Sequence, residues 1–147
     1  MVESRISTDI SKAVMEEILV WGARELGLNY TPNSIKRFAY GSGVTFFSDT
    51  PLLNLHPAVT NLAARSSEEL SKIWQQPVKF EPLIVRVGHD PTERKYAIAS
   101  FRIEHRMEAR FSENKYYSEA PLPTNLHWKM LEEFEMDVRF TQRAPNR

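Results

Sequence analysis

The sequence predicts an α+β fold in which a mostly antiparallel, curved sheet packs on two main helices. Three observations favour it: helical periodicity near the amino terminus, long alternating segments near the carboxyl terminus, and a length of 147 residues with 41% hydrophobic residues. A chain of this length buries roughly 70% of the surface that it exposes when unfolded, enough for one core. We therefore expect residues 1–147 to form a single domain, with flexible tails at 1–8 and 142–147.

The first predicted element is an amphipathic helix over residues 10–26. Ile10, Val14, Ile18 and Trp21 recur at steps of three and four, as one face of a helix requires. Gly27 follows at the position where a left-handed residue ends a helix. We expect this apolar face to cover the sheet, with Trp21 as its anchor.

The middle of the chain predicts two strands, a helix and a further strand. Segments 35–40 and 44–48 flank the glycines of Gly41-Ser42-Gly43, which is typical of a hairpin turn. Pro57 suits the first turn of a helix, and Pro77 ends it. A capping-box pattern beginning at Ser66 predicts a break within that helix. Segment 83–87 is apolar and β-branched, as strands are.

Two long segments alternate with a period of two, which predicts strands. Residues 99–111 place apolar side chains at odd positions and charged ones at most even positions. Residues 126–140 repeat the pattern with apolar side chains at even positions. The predicted order is therefore α-β-β-α-β-β-β.

Each alternating segment carries one titratable residue on its apolar face, His105 in the first and Glu132 in the second. If Phe111 faces Leu126 in an antiparallel pair, His105 faces Glu132. The two are candidate catalytic residues, sharing a proton in an aromatic pocket. The alternative is a satisfied polar pair in the core, and a cavity of roughly 300 Å³ beside them would favour catalysis.

Three aromatic residues are candidate binding residues. Tyr116 and Tyr117 fall in a predicted loop of about a dozen residues, and loops of that length are often functional. Trp128 lies on the apolar face of the last predicted strand, whereas the neighbouring His127 falls on its charged face.

The predicted element order is similar to that of the NTF2-like cone family. That resemblance implies a curved sheet that wraps helices around a pocket, and it carries over no site residue. A cystatin-like sheet wrapped on a helix, or a ferredoxin-like variant, fits the same order.

Composition excludes several classes of function. The 19 basic and 19 acidic residues cancel, which argues against nucleic acid as a partner. The absence of cysteine removes thiol nucleophiles and thiolate metal sites. We expect no cofactor and no metal site, and the common hydrolase and metalloprotease signatures are absent. Charges near the amino terminus and polar residues within the longest uncharged segment predict a soluble, cytoplasmic protein that does not bind membranes.

The leading functional hypothesis is a non-catalytic binding or assembly module, homo-oligomeric through its sheet or a sheet edge. Its partner would be a protein or a second copy, with a small apolar ligand as a further class. The alternative is a small cofactor-independent isomerase, dehydratase or hydrolase that uses His105 and Glu132.

Overall fold

The computed structural model describes residues 7–90, 92 and 98–143. Within them lie three helices and four strands in the order α-β-α-β-β-β-α. These elements are α1 (Thr8–Leu26), β1 (Ser42–Phe47), α2 (Pro57–Trp74), β2 (Ile84–Val87), β3 (Phe101–His105), β4 (Lys115–Ala120) and α3 (Thr124–Arg143), with one 3-10 turn at Phe111–Glu113. The predicted α+β class is confirmed, and the observed element order differs slightly from the predicted one.

The four strands form one antiparallel sheet in the order β1-β4-β3-β2. Strand β4 lies inside the sheet and pairs with β1 on one side and β3 on the other, so that Ser118 stands opposite both Val44 and Ile103. Because β4 alternates between partly exposed and buried residues, one face of the sheet carries the core and the other carries charged side chains.

The predicted alternation holds in β3, over a shorter range than expected. Ile103 and His105 are buried, while Arg102 and Glu104 on the opposite face stay partly exposed. The strand ends at His105, and a turn closed by the Ala109 N–H donating to the Arg106 carbonyl follows. Met107, predicted to face the core, is 99% exposed because it lies in this turn.

The predicted strand over residues 126–140 is wrong, because this segment belongs to helix α3. His127, Leu131 and Val138 are buried and Phe134 packs beside them, at steps of four, three and four residues. That spacing places all four on one face of a helix. Leu126 therefore belongs to no strand and does not pair with Phe111.

The predicted hairpin around Gly41-Ser42-Gly43 is also wrong. Segment 35–40 forms no strand, and Ser42 and Gly43 are the first residues of β1, whose partner is the distant β4. Tyr116 and Tyr117 lie within β4 rather than in a loop. The element order on which the resemblance to the NTF2-like cone family rested is therefore not the observed one.

Helix α1 ends where the sequence predicts and begins at Thr8 instead of residue 10, but its apolar face does not cover the sheet. The Ser7 hydroxyl accepts from the Asp9 and Ile10 N–H groups, and Gly27 ends the helix with a φ of 67°. Trp21, the predicted anchor, is 50% exposed. The reason is that α3 is the helix packed on the sheet, while α1 and α2 make only sparse contacts with other described elements.

Helix α2 runs through the predicted break at Ser66 without interruption. The Ser67 and Ser71 hydroxyls instead accept from the N–H groups of Phe80 and Val78, which fixes the chain after the helix alongside it. In the predicted tails, α1 begins at Thr8 and α3 extends to Arg143, and residues 1–6 and 144–147 lie outside the described residues.

The core lies between α3 and the sheet. Leu52 and Leu53, from the segment after β1, close it from a third side. The buried residues of this cluster are Leu52, Leu53, Ile103, Tyr116, Leu131 and Val138.

Replacing Leu131 with Ala should lower the free energy of unfolding by about 2–5 kcal/mol, because a buried leucine leaves a cavity. The matched change Glu132→Ala should cost about 0.5 kcal/mol or less, since Glu132 is exposed on the same helix. Denaturant titration measures both. The reverse ranking would restore the strand prediction, in which position 132 faces the core and 131 does not.

Candidate functional site

A fully buried histidine joins α3 to two strands. His127, in the first turn of α3, is 0% exposed and lies between Ser42 of β1 and Ser118 of β4. Its Nδ1 is 2.7 Å from the Ser42 Oγ, and its Nε2 is 2.8 Å from the Ser118 Oγ. We call this group the Ser42–His127–Ser118 link.

The hydrogen positions in the link follow from its donors and acceptors. The Ser118 hydroxyl has one proton, which it donates to the Arg102 carbonyl at 2.8 Å. Toward His127 it can only accept, so Nε2 carries a hydrogen. In the neutral ring Nδ1 is then an acceptor, and the Ser42 hydroxyl donates to it.

Burial sets the charge of the imidazole. Desolvation lowers the pKa of His127 below its ordinary value near 6.5, because a charged ring is disfavoured away from water. The edge-to-face contact with Phe101, whose ring centroid is 5.2 Å away, adds an apolar neighbour. The ring is therefore neutral at neutral pH, in the tautomer that the link requires.

A serine oxygen close to an imidazole is also the geometry of an activated nucleophile. That chemistry needs an opening through which a substrate reaches the serine. Ser42 is only 6% exposed and His127 is closed off completely. The arrangement therefore acts as a structural connection among β1, β4 and α3.

Two helix amino termini meet beside the link. The Thr8 N–H donates to the Thr124 Oγ1 at 3.1 Å, and the Thr124 N–H donates to the Thr8 Oγ1 at 2.9 Å. Each threonine hydroxyl thus accepts from an N–H group that the other helix leaves unpaired. This reciprocal capping attaches α1 to α3 and fixes where α1 starts.

A second polar cluster connects α3 to the end of β1. Glu135 accepts from the Ser48 hydroxyl at 2.5 Å and from Arg139 at 2.8 Å, and Arg139 also lies 3.4 Å from Asp49. Partial burial raises the pKa of Glu135, but the two hydrogen bonds outweigh it and the net pKa is lowered. The carboxylate therefore stays ionised and holds the chain after β1 against α3.

His105 and Glu132 are not brought together. The His105 Nε2 donates to the Arg110 carbonyl at 3.2 Å, and its ring packs edge-on against Phe111 at 4.9 Å. Glu132 is exposed on α3, and within the described residues no hydrogen bond or ion pair joins it to His105. The strand pairing that would have made them neighbours does not exist.

The cavity beside His105 is too small for a ligand. It has a volume of about 10 Å³ and is lined by residues that include His105, Phe111 and Tyr116. Ligand sites usually measure about 300–1,000 Å³, so this space is thirty times too small. Glu132 is not among the lining residues.

Of the three predicted binding aromatics, Tyr116 and Tyr117 point to opposite faces of the sheet and Trp128 lies on α3. Tyr116 is buried in the core, and its hydroxyl accepts from the Leu52 N–H at 3.1 Å. Trp128 stands edge-on to Phe46 at 6.1 Å, at the margin of that core. Tyr117 faces the other way, with the guanidinium groups of two arginines about 6 Å from its ring centroid, Arg102 at 5.9 Å and Arg106 at 5.8 Å.

The described residues contain neither a metal-binding cluster nor a helix that could span a membrane. Among residues 7–90, 92 and 98–143, no group of three histidine or acidic side chains could hold a metal ion. In the same part of the chain, no helix combines the length and apolar character needed to cross a membrane.

The apolar side chains of α1 and α2 that the core does not use are exposed. On α1 they include Ile10, Val14, Ile18 and Trp21, and on α2 they include Val59, Leu62, Ile73 and Trp74. Helix α2 has no buried residue at all. Both helices therefore expose large apolar side chains to solvent.

The sequence patterns predict neither the Ser42–His127–Ser118 link nor the exposure of the apolar faces of α1 and α2. The predicted strand placed His127 on its charged face, and no local pattern connects His127 to Ser42 or Ser118, which lie 85 and 9 residues away. The helical spacing of His127, Leu131, Phe134 and Val138 was the available signal, and it was read as a strand.

Comparison with known proteins adds no relative. No family model matches the chain, and neither a curated protein nor a solved structure matches it.

Acidification should destabilise the protein through His127. The pKa of His127 is lower in the folded state than in the unfolded chain, so the unfolded chain binds more protons below pH 6.5. The free energy of unfolding therefore decreases as the pH is lowered. Unfolding free energies at pH 8 and pH 5 should differ, and the loss should shrink in His127→Gln, which does not titrate. Glu135 contributes in a separate window, below pH 4.5.

The matched control is His89→Gln, since His89 is exposed near a turn. It should keep the loss of stability that His127 causes, because it leaves the buried imidazole in place. Imidazole nitrogen NMR should also show His127 protonated at Nε2 only. A His127 ring that titrates above pH 6.5 would contradict the burial argument.

Proposed function

We propose that this protein is a non-catalytic assembly module that forms a homo-oligomer. The observation that carries the proposal is the exposed apolar surface of α1 and α2. Exposed apolar surface on this scale is unfavourable in water, and burial against another copy removes it.

The charge balance favours a second copy as the partner. Formal net charge is zero, so two copies approach without net repulsion. A basic or acidic partner would instead be matched by a surface of the opposite sign. The cofactor-independent enzyme hypothesis has no comparable support, since His105 and Glu132 lie apart and the cavity at His105 is small.

Sedimentation velocity and light scattering should give a molar mass of at least twice 17.1 kDa at micromolar concentration. The double variant Leu62→Glu/Ile73→Glu should lower the mass, because it places charges on the exposed apolar face of α2. Its circular dichroism should stay unchanged, since neither side chain belongs to the core.

The control is Asn61→Glu, which adds a negative charge at an exposed polar position of α2. It should leave the molar mass unchanged. A wild-type chain that is monomeric at 100 μM would refute the proposal. The proposal would also be refuted if the double variant and a separate variant of the apolar face of α1 both kept the wild-type molar mass.

A further inference from the structure

Strand β1 forms one edge of the sheet, and half of its backbone groups point away from that sheet. The Ser48 N–H donates to the Asn114 carbonyl at 3.1 Å, which extends the ladder between β1 and β4 by one pair. Hydrogen-bonded pairs alternate along an antiparallel ladder, so the other even-numbered residues of β1 also bond to β4. The residues between them, whose N–H and C=O groups point outward, are Gly43, Thr45 and Phe47.

The outward backbone groups of Gly43, Thr45 and Phe47 are called the β1 edge below. All three residues are exposed, and no hydrogen bond among the described residues reaches their outward N–H and C=O groups. A row of unpaired donors and acceptors at this spacing is complementary to another extended strand. The β1 edge is therefore built to bind a strand.

The sequence of β1 contains none of the features by which proteins protect a sheet edge. Its six residues include no charged side chain and no proline. The opposite edge, β2, has only four residues and carries the exposed Arg86. Pairing of β1 with β2 of another copy would also continue from copy to copy without closing, whereas pairing of β1 with itself closes as a dimer.

The β1 edge is complementary to itself. Its three residues are spaced symmetrically about Thr45, so a second β1 running antiparallel can place Thr45 opposite Thr45 and Gly43 opposite Phe47. Three pairs would then each exchange two N–H···O=C bonds. A register with Thr45 opposite Gly43 or opposite Phe47 leaves two such pairs. Hydrogen bonding therefore selects the symmetric register.

The side chains favour the same register. On the face of the sheet away from α3, the 66% exposed Phe47 would lie opposite Gly43, and an aromatic ring beside an edge glycine stabilises a strand pair. At the centre, Thr45 would lie beside Thr45, whose hydroxyls bond across strands. On the core face Val44 would lie opposite Phe46, and both are partly exposed in the single chain. No charges are opposed in any of these pairs.

Helix α3 leaves room for the pair. The Ser42–His127–Ser118 link places α3 above the gap between β1 and β4. Strands lie about 4.8 Å apart, so two paired β1 strands would bring the two α3 helices within about 10 Å, the ordinary separation of packed helices. Trp128 contacts Phe46 and is 39% exposed, so it lies on the side of α3 that the second helix approaches.

We propose that β1 pairs antiparallel with β1 of a second copy, with Thr45 on the two-fold axis. The two four-stranded sheets would then form one continuous sheet. This contact goes beyond the proposed function, because β1 is separate from the exposed apolar faces of α1 and α2. The occupant of the β1 edge is a second copy of this chain.

Disulfide trapping tests the register, because the chain has no cysteine. Thr45→Cys lies about 5.5 Å from its symmetry mate between Cα atoms and should form a cross-linked dimer. Phe47→Cys lies about 14 Å along the strand from its mate and should not link with itself. Ile84→Cys places the thiol on the β2 edge and should also stay unlinked. Self-linking of Phe47→Cys as fast as Thr45→Cys would overturn the proposed register.

A charge at the axis tests the pairing itself. Thr45→Lys places two like charges side by side and should lower the molar mass in light scattering. The matched control Ile84→Lys adds the same charge at an exposed position of the β2 edge and should leave the mass unchanged. Circular dichroism should be the same for both variants, since neither residue belongs to the core.

Amide hydrogen exchange reports the same contact directly. The Phe47 amide should exchange at least tenfold faster in Thr45→Lys than in Ile84→Lys, because only the second copy protects it. The Val44 amide should stay protected in both variants, since it bonds to β4 within the chain. Equal exchange of the Phe47 amide in the two variants would contradict the pairing.

The experiments separate this contact from the proposed function. An oligomer that gives no Thr45→Cys cross-link and keeps its mass in Thr45→Lys overturns the β1 pairing and leaves assembly through α1 and α2 standing. An oligomer that dissociates in Thr45→Lys and keeps its mass in the α1 and α2 variants has the opposite meaning. A monomeric wild-type chain overturns both.

Discussion

The buried imidazole of His127 is the interaction on which the arrangement of the sheet and α3 depends. It joins the first residue of β1, the interior strand β4 and the first turn of α3, and no other described side chain touches all three in this way. Its partners Ser42 and Ser118 are small, so the helix can approach the sheet closely at this end. A buried polar group costs about 1–3 kcal/mol when its partner is lost, so the link specifies one position for α3.

Local sequence patterns predict α1 and β3. The bounds of α1 follow from the Ser7 cap and Gly27, and β3 follows from alternation around Ile103. The sequence of α3 predicts a strand because the exposed side of this helix also carries apolar residues, among them Met130 and Met136, which mimic a period of two. Two competing periods in one segment are resolved only by what the segment packs against.

The direction in which an amphipathic face points is a tertiary property, and the sequence contains it only indirectly. The apolar residues Ile10, Val14, Ile18 and Trp21 of α1 have the spacing of a core-facing helix, and nothing in α1 alone determines whether they face the sheet or the solvent. Likewise, the Ser42–His127–Ser118 link joins residues that are polar and scattered in sequence. Hydrogen bonds between distant segments leave no periodic signal, so the candidate site was the part that reasoning from residue patterns failed to find.

The interior place of β4 has a consequence for how the chain reaches its fold. Strand β1 is complete at Phe47, yet its neighbour in the described part of the sheet begins at Lys115, so the ribosome must synthesise most of the chain before these two strands can pair. Such distant pairings close large loops and slow folding. During that interval α1 and α2 have already emerged with their apolar faces uncovered. A partly synthesised chain therefore exposes these apolar faces before the sheet that forms the core can be completed.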